Sequence, residues 1–315
     1  MGDDGFRPSA SLDAIRLRAR LLEEVRRFFS ERGVLEVETP LLSSDVCVDA
    51  HIEPIEVQAD GRRWYLQTSP EFAMKRLLSA YSESMFQVAR AFRSGESGRL
   101  HNREFTLLEW YRVGMDYRAL MDEVSDLFER LLGLRPPERR TYREAFRSAT
   151  GLDPFEADDD DLWRLANPRL AKRPPERDDL LNALWVDLVE PALASAPALF
   201  IHDYPGTQAA LAKVRSEAGR DVAERFELYV GGMELCNGWS ESTDAEELAR
   251  RFERQNRLRR RAGRREFAVE SRFLRAVRSG LPECSGVAVG FDRLVMLAAG
   301  ADDIRDVLAF PDDVS

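Results

Sequence analysis

Cysteine is scarce: the 315 residues hold three, Cys47, Cys236 and Cys284, far apart and odd in number. With no C-x-x-C pair, neither a disulfide framework nor a zinc site is expected. Long apolar runs are missing too. Nothing approaches the roughly 20 residues that cross a bilayer, and the opening MGDDGFRPSASLD has no apolar signal core. A cytoplasmic protein without membrane contact is expected. Positive charge falls short of negative: 46 Lys and Arg stand against 56 Asp and Glu, a formal net charge of −10. A grip on nucleic acid would need a local basic patch working against that overall field. No internal repeat is visible. What remains, 44% hydrophobic and 32% charged residues, is a soluble globular composition with length for one large or two small domains.

Along the chain, SLDAIRLRARLLEEVRRFFSERG has the apolar spacing of an amphipathic helix, with Ser11 as cap and Gly33 as stop. VLEVETP reads as a short strand ended by Pro40. RRWYLQTSPEFAMKRLLSA reads as a strand that enters a helix after Pro70. SMFQVARAFRS and EFTLLEWYRV are β-rich runs on either side of the polar GESGRLHN, which predicts a hairpin with a long loop. YRALMDEVSDLFERLLG predicts a further helix. Residues 134 to about 220 are proline-rich and acidic, and are expected to form an inserted, mostly helical subregion of a single domain spanning 1–315. Two strands around Gly231-Gly232, a charged helix and a final strand-to-helix passage, SGVAVGFDRLVMLAAG, follow. Strands paired by hairpins with helices beside them predict an α+β fold, an antiparallel sheet flanked by helices.

RFELYVGGMELCNGWSE carries Glu227, Glu234 and Glu241 at intervals of seven. A two-residue turn at Gly231-Gly232 would set Tyr229 opposite Glu234. Glu227 and Glu234 then become diagonal neighbours, about 7–8 Å apart at the backbone. Two carboxylates so close repel unless a cation or a shared proton lies between them. Mg²⁺, which takes oxygen ligands and bridges phosphates, suits them. Ordinary glutamates on a solvated sheet face are the alternative.

Two other loops carry candidates. Arg93 ends one β-run and Phe105 begins the next; a planar, permanently charged Arg at a strand end can grip a phosphate, or make a surface ion pair. His101 and Asn102 lie in the same loop, within reach of a nucleotide. Gly290 would admit a ligand close to its strand. Arg293 stands in the first turn of the last helix, where a cation opposes the macrodipole and an anionic ligand would relieve the cost.

Together these segments resemble the class II aminoacyl-tRNA synthetases, lysyl branch. GVLEVETP looks like motif 1, FRSGESGRLHNREFTLLEWY like motif 2, and GVAVGFDRLVML, with its Gly-x-Asp-Arg, like motif 3. SPEFAMKRLL and ELCNGWSE look like the lysine-pocket segments. The resemblance covers nearly the whole chain. It is nearest to short paralogues that lysylate elongation factor P, because motif 1 begins at Gly33 and leaves no room for an anticodon-binding domain. Ala288 stands where lysyl-tRNA synthetases have glycine and these paralogues alanine, a difference associated with (R)-β-lysine. Motif 2 departs from Arg-x-Glu: Arg93 is followed by Ser94 and Gly95, with Glu96 one place late. Either Glu96 takes the role or the contact is remade through the backbone.

The resemblance implies roles. Glu227 and Glu234 would hold Mg²⁺ against the ATP phosphates. Glu241, Glu109 and Tyr111 would receive the side-chain ammonium of lysine, and Glu71, beside Ser69, the other amino group, with Asn237 and Ala288 also lining the substrate pocket. Arg93 and Arg293 would be catalytic: Arg93 clamps the α-phosphate, and Arg293 sandwiches the adenine with Phe105. Ser94, Gly95, Glu96, His101, Asn102, Leu235 and Gly290 complete the nucleotide site. A homodimer through motif 1 is implied. The expected reaction attaches β-lysine or lysine to a lysine of elongation factor P. A truncated enzyme that charges tRNA and a non-catalytic amino-acid sensor are the rivals. The basic run RQNRLRRRAGRR is read as a solvated helix face paired with DAEELARRFE, so tight tRNA binding is not expected.

Overall fold

The structure, a computed structural model, describes residues 6–315; the first five residues of the opening stretch lie outside it. Helix α1 (Leu12–Glu31) begins where predicted, with the Ser11 hydroxyl accepting the Ala14 N–H at 3.1 Å. Gly33, at φ +63°, carries the chain out of it. Short strands β1 (Leu35–Glu36), β2 (Leu42–Ser43), β3 (Glu56–Ala59) and β4 (Arg62–Leu66) follow. Pro70 is the N-cap of α2 (Glu71–Tyr81). The predicted hairpin is β5 (Met85–Phe92) and β6 (Glu104–Val113). Helix α3 (Tyr117–Leu132) is capped by Asp116 and stopped by left-handed Gly133.

Then come β7 (Glu138–Thr141), α4 (Tyr142–Thr150), α5 (Asp159–Ala166), α6 (Arg177–Leu184) and, after a π-helical turn, α7 (Glu190–Leu193). Strands β8 (Ala198–Pro205), β9 (Val214–Glu217), β10 (Arg220–Val230) and β11 (Met233–Ser240) precede α8 (Ala245–Arg261), α9 (Arg272–Gly280), β12 (Cys284–Gly290) and α10 (Phe291–Ala299). Residues 134–220 therefore hold four helices, but also three strands. Strand β8 is buried at every position, so it lacks the alternation that marks a half-buried strand.

The chain forms two compact units. The first takes the described part of Met1–Met115, with Arg130–Leu132 and Thr243–Ser315. In it β1, β5, β6 and β12 are neighbours in that order, and β2, β4 and β3 form a separate small sheet. Its pairs are antiparallel as expected, except β1 with β5. One face of this sheet is covered by α1: the Phe29 ring stacks on Phe86 at 4.4 Å and meets Trp110 edge-on at 5.2 Å. The second unit takes Asp116–Glu129 and Gly133–Ser242. Its strands run β11, β10, β8, β7, with β9 also on β10. Only β7 with β8 is parallel, the chain passing between them through α4 to α7. Its core gathers Phe146, Leu162, Leu184 and Val189 around Tyr142, which stacks on Trp185 at 4.3 Å.

Candidate active site

In the first unit the face of the sheet away from α1 is shaped by side-chain size. Side chains alternate across a strand, so Phe105, Leu107, Glu109 and Tyr111 of β6 share one face. Opposite them on β12 stand Gly290 against Leu107, Ala288 against Glu109 and Gly286 against Tyr111. On β5, Ala91, Ala89 and Gln87 face Phe105, Leu107 and Glu109. Small residues thus flank the strand and leave a trough. Its floor is polar at one point: the Tyr111 hydroxyl donates to Glu109 Oε1 at 2.6 Å, and Glu109 is 2% exposed. Beside it, Lys75 donates to Glu71 Oε1 at 2.6 Å, with its ammonium 5.8 Å from the Tyr111 ring centre. Ser69 accepts the Glu71 backbone N–H at 3.2 Å and so fixes the start of α2.

The loop from β5 to β6 gathers the nucleotide candidates. Arg93 lies 4.9 Å over the Phe105 ring, and its Nε is buried without a hydrogen-bond partner. A buried unpaired donor is costly unless a ligand supplies the acceptor, so Arg93 suits a phosphate oxygen. Gly95 adopts φ +82°, a backbone that suits glycine. That turn brings Glu96 to 3.5 Å from Arg93, so the late glutamate does stand beside the motif 2 arginine. Arg293 donates to the Leu100 carbonyl at 3.3 Å and lies 2.7 Å from His101 Nε2. Burial first, and then the Arg293 charge, hold His101 below its ordinary 6.5, so its neutral ring accepts from Arg293. Asn102 is a latch: Nδ2 donates to the Glu104 carbonyl at 2.7 Å and Oδ1 accepts from Asp312 N at 2.9 Å. A Cβ added at Gly290 would meet only the Arg293 side chain, at 3.6 Å. The protein itself therefore does not demand glycine there, and the open space suits a ligand.

In the second unit the Gly231-Gly232 turn forms as expected, with Tyr229 opposite Glu234. The register then jumps to Leu228 opposite Cys236, which leaves Leu235 as a bulge. Glu227 consequently faces Asn237. Its carboxylate is fully engaged. Oε1 accepts from Arg225 and from Asn237 Nδ2, and Oε2 accepts from the hydroxyls of Tyr204 and Tyr229, both at 2.6 Å. Burial, then the charge of Glu227, push both phenols well above their usual range, so they remain donors. Glu234 also acts on Arg225 and Tyr229. Arg225 thus sets one positive charge of the chain against Glu227.

Glu227 and Glu234 offer the hard oxygens Mg²⁺ takes, on condition that Arg225 or Asn237 gives up Oε1. Among the described residues no cluster of three or more His, Cys, Asp or Glu is placed for a metal, so an ion here would need substrate oxygens or water as well. Glu241, 1% exposed, accepts from the Trp239 indole at 2.8 Å.

Residues 5–314 match the family described as tRNA synthetases class II (D, K and N). The chain belongs to this family. It is 46% identical over 316 residues to an elongation factor P–(R)-β-lysine ligase of Proteus mirabilis, covering 97% of each chain. Ligases of the same name from Yersinia enterocolitica and Salmonella arizonae are each 44% identical, over 97% and 98% of both chains. In this class II synthetase the motif 3 aspartate has a visible task. Asp292 accepts from Arg18 at 2.5 Å and from the Thr106 backbone at 2.6 Å, which pins the start of α10 and hence Arg293.

Of the candidate residues, Ser69, Glu71, Arg93, Ser94, Gly95, Glu96, His101, Asn102, Phe105, Glu109, Tyr111, Ala288, Gly290 and Arg293 lie in the first unit; Glu227, Glu234, Leu235, Asn237 and Glu241 lie in the second. Sequence reasoning missed Lys75, Arg225 and Tyr204. The Glu71-to-Lys75 spacing of four was a signal for the first, and the same-face spacing of Arg225 and Glu227 for the second. All three cysteines are free thiols.

Proposed function

We propose that this chain uses ATP to activate (R)-β-lysine, or lysine, and transfers it to the ε-amino group of a lysine on elongation factor P. The observation that carries the reading is the acidic trough of β6, where Glu109 faces Ala288 and Tyr111 faces Gly286 on β12. It suits an ammonium-bearing aliphatic chain, and the relatives named for this reaction span nearly all of the sequence. In the first step a substrate carboxylate oxygen attacks the α-phosphorus of ATP, and pyrophosphate leaves. Arg93 would take an α-phosphate oxygen through its unpaired Nε, and Arg293 with Phe105 the adenine. In the second step the acceptor amine attacks the acyl carbon, loses a proton and expels AMP, leaving an amide. No side-chain nucleophile is required; positioning and charge neutralisation carry the rate. Mg²⁺, held by Glu234 and Glu227, would neutralise charge on the phosphates.

Within RQNRLRRRAGRR, Arg259 is fully buried and bonds the Asp49 carbonyl and Glu53, Arg260 pairs with Glu266, Arg264 bonds the Ala50 carbonyl and Arg265 pairs with Glu56. Much of the one basic run is thus spent inside the first unit, which favours a protein acceptor over tRNA. A translation-factor acceptor would put the reaction in the cytoplasm; no helix among the described residues is long and apolar enough to cross a membrane. A homodimer is part of the proposal: Leu35, within motif 1, and Leu41, just after it, are exposed. Lysine-dependent ATP–pyrophosphate exchange tests the activation step. Exchange with neither (R)-β-lysine nor lysine would refute it.

A further inference from the structure

Lys75 has no part in the reaction as described, yet its burial and surroundings are those of a built feature. Its side chain is 1% exposed. A buried ammonium is stable only when paired, and Lys75 is paired with Glu71 Oε1 at 2.6 Å. Aromatic rings complete the cage: Tyr111 lies 5.8 Å and Phe273 5.6 Å from Nζ, at cation–π range. On an exposed helix a Glu–Lys pair four apart is a minor stabiliser. Here the pair is buried beside the trough, and one of its members is a pocket residue.

The pairing constrains Glu71. A free glutamate side chain samples several rotamers. With Oε1 bound to a caged ammonium and the Glu71 N–H on Ser69, the carboxylate is fixed, and Oε2 carries no hydrogen bond within the described residues. A substrate amino group therefore meets an acceptor at one set depth. The amino group near the carboxylate is what differs between the two candidate substrates: it sits one carbon further along in β-lysine than in α-lysine. We propose that Lys75 is a specificity-determining positioning residue, which holds Glu71 where it receives the β-amino group in preference to the α-amino group. This rests on the reading that Glu71 binds the substrate's second amino group.

The test uses the full chain and ATP–pyrophosphate exchange with each lysine. In Lys75→Met, kcat/KM for (R)-β-lysine should fall relative to that for α-lysine by about tenfold, the cost of a one-carbon misfit. The loss should appear in KM for the amino acid, with KM for ATP unchanged. A merely structural role would lower both substrates together and disturb KM for ATP. Lys75→Gln keeps a donor to Glu71 without the charge; its ratio should lie between those of wild type and Lys75→Met, and it decides the matter if Lys75→Met fails to melt cooperatively. An unchanged ratio in a folded variant overturns the proposal, as does a wild type that does not distinguish the two lysines. A wild type that exchanges with neither lysine instead overturns the function on which it rests.

Discussion

Replacing Ala288 by glycine should widen substrate choice. Ala288 faces Glu109 on the adjacent antiparallel strand, and directly opposed residues hold their Cβ atoms about 4.5–5.5 Å apart. The methyl therefore touches the trough at the level of the carboxylate expected to receive the lysine side-chain ammonium. One such carbon is worth about 0.8 kcal/mol by transfer alone, and about 1–3 kcal/mol where a tight pocket must distinguish shapes. Ala288→Gly should then raise kcat/KM for α-lysine relative to (R)-β-lysine by about tenfold or more. Glycine in a strand costs about 0.5–1 kcal/mol of stability, so the melting temperature should drop by no more than about 2–4 °C. Ala288→Val, which adds two methyls at the same place, should depress activation of both substrates. Pyrophosphate exchange with each lysine, alongside a melting curve, reads these effects. A folded Ala288→Gly enzyme with the wild-type preference would refute the reasoning.

Other perturbations have equally definite outcomes. Glu234→Gln should abolish lysine-dependent exchange while leaving the melting curve near wild type; near-normal exchange would exclude it as a metal ligand. Asp203, at φ +62°, pairs with Arg118, and its contacts with His202, Tyr117 and Arg215 outweigh burial and keep its carboxyl well below the ordinary 3.8. Asparagine tolerates that backbone, so Asp203→Asn isolates the charge. It should cost about 2 kcal/mol at pH 7 in denaturant titrations, less than a fully buried pair because Arg118 is half-exposed. Because the folded value is depressed, that contribution is full above 3.8 and fades only as pH falls towards the folded value. For His101 the direction is the same: its lowered value means the unfolded chain takes the proton first, so stability should fall as pH drops below 6.5, and His101→Gln should lessen that fall. Sedimentation should give a dimer at micromolar concentration; an active monomer would refute the interface.

Local chemistry made much of this legible in the sequence. Ser11, Gly33 and the Gly231-Gly232 turn act through their own backbones and side chains, and each appears as read. The bulge at Leu235 could not be read, since leucine carries no turn signature and the jump is set by how both strands pack. Arg225 was passed over because an arginine two residues from a glutamate is ordinary in a charged sequence; only burial turns the pair into a counter-ion. Arg259 sat in what looked like a solvated helix face, whereas the loop around Asp49 to Glu53 folds over it. Long-range closure of this kind leaves no trace in periodicity.

The most direct test incubates the purified chain with ATP, Mg²⁺, (R)-β-lysine and unmodified elongation factor P, and weighs the intact acceptor by mass spectrometry, with bulk tRNA assayed in parallel on acid gels. One added lysyl group on elongation factor P and uncharged tRNA are expected. An unmodified factor alongside charged tRNA would contradict the proposed activity.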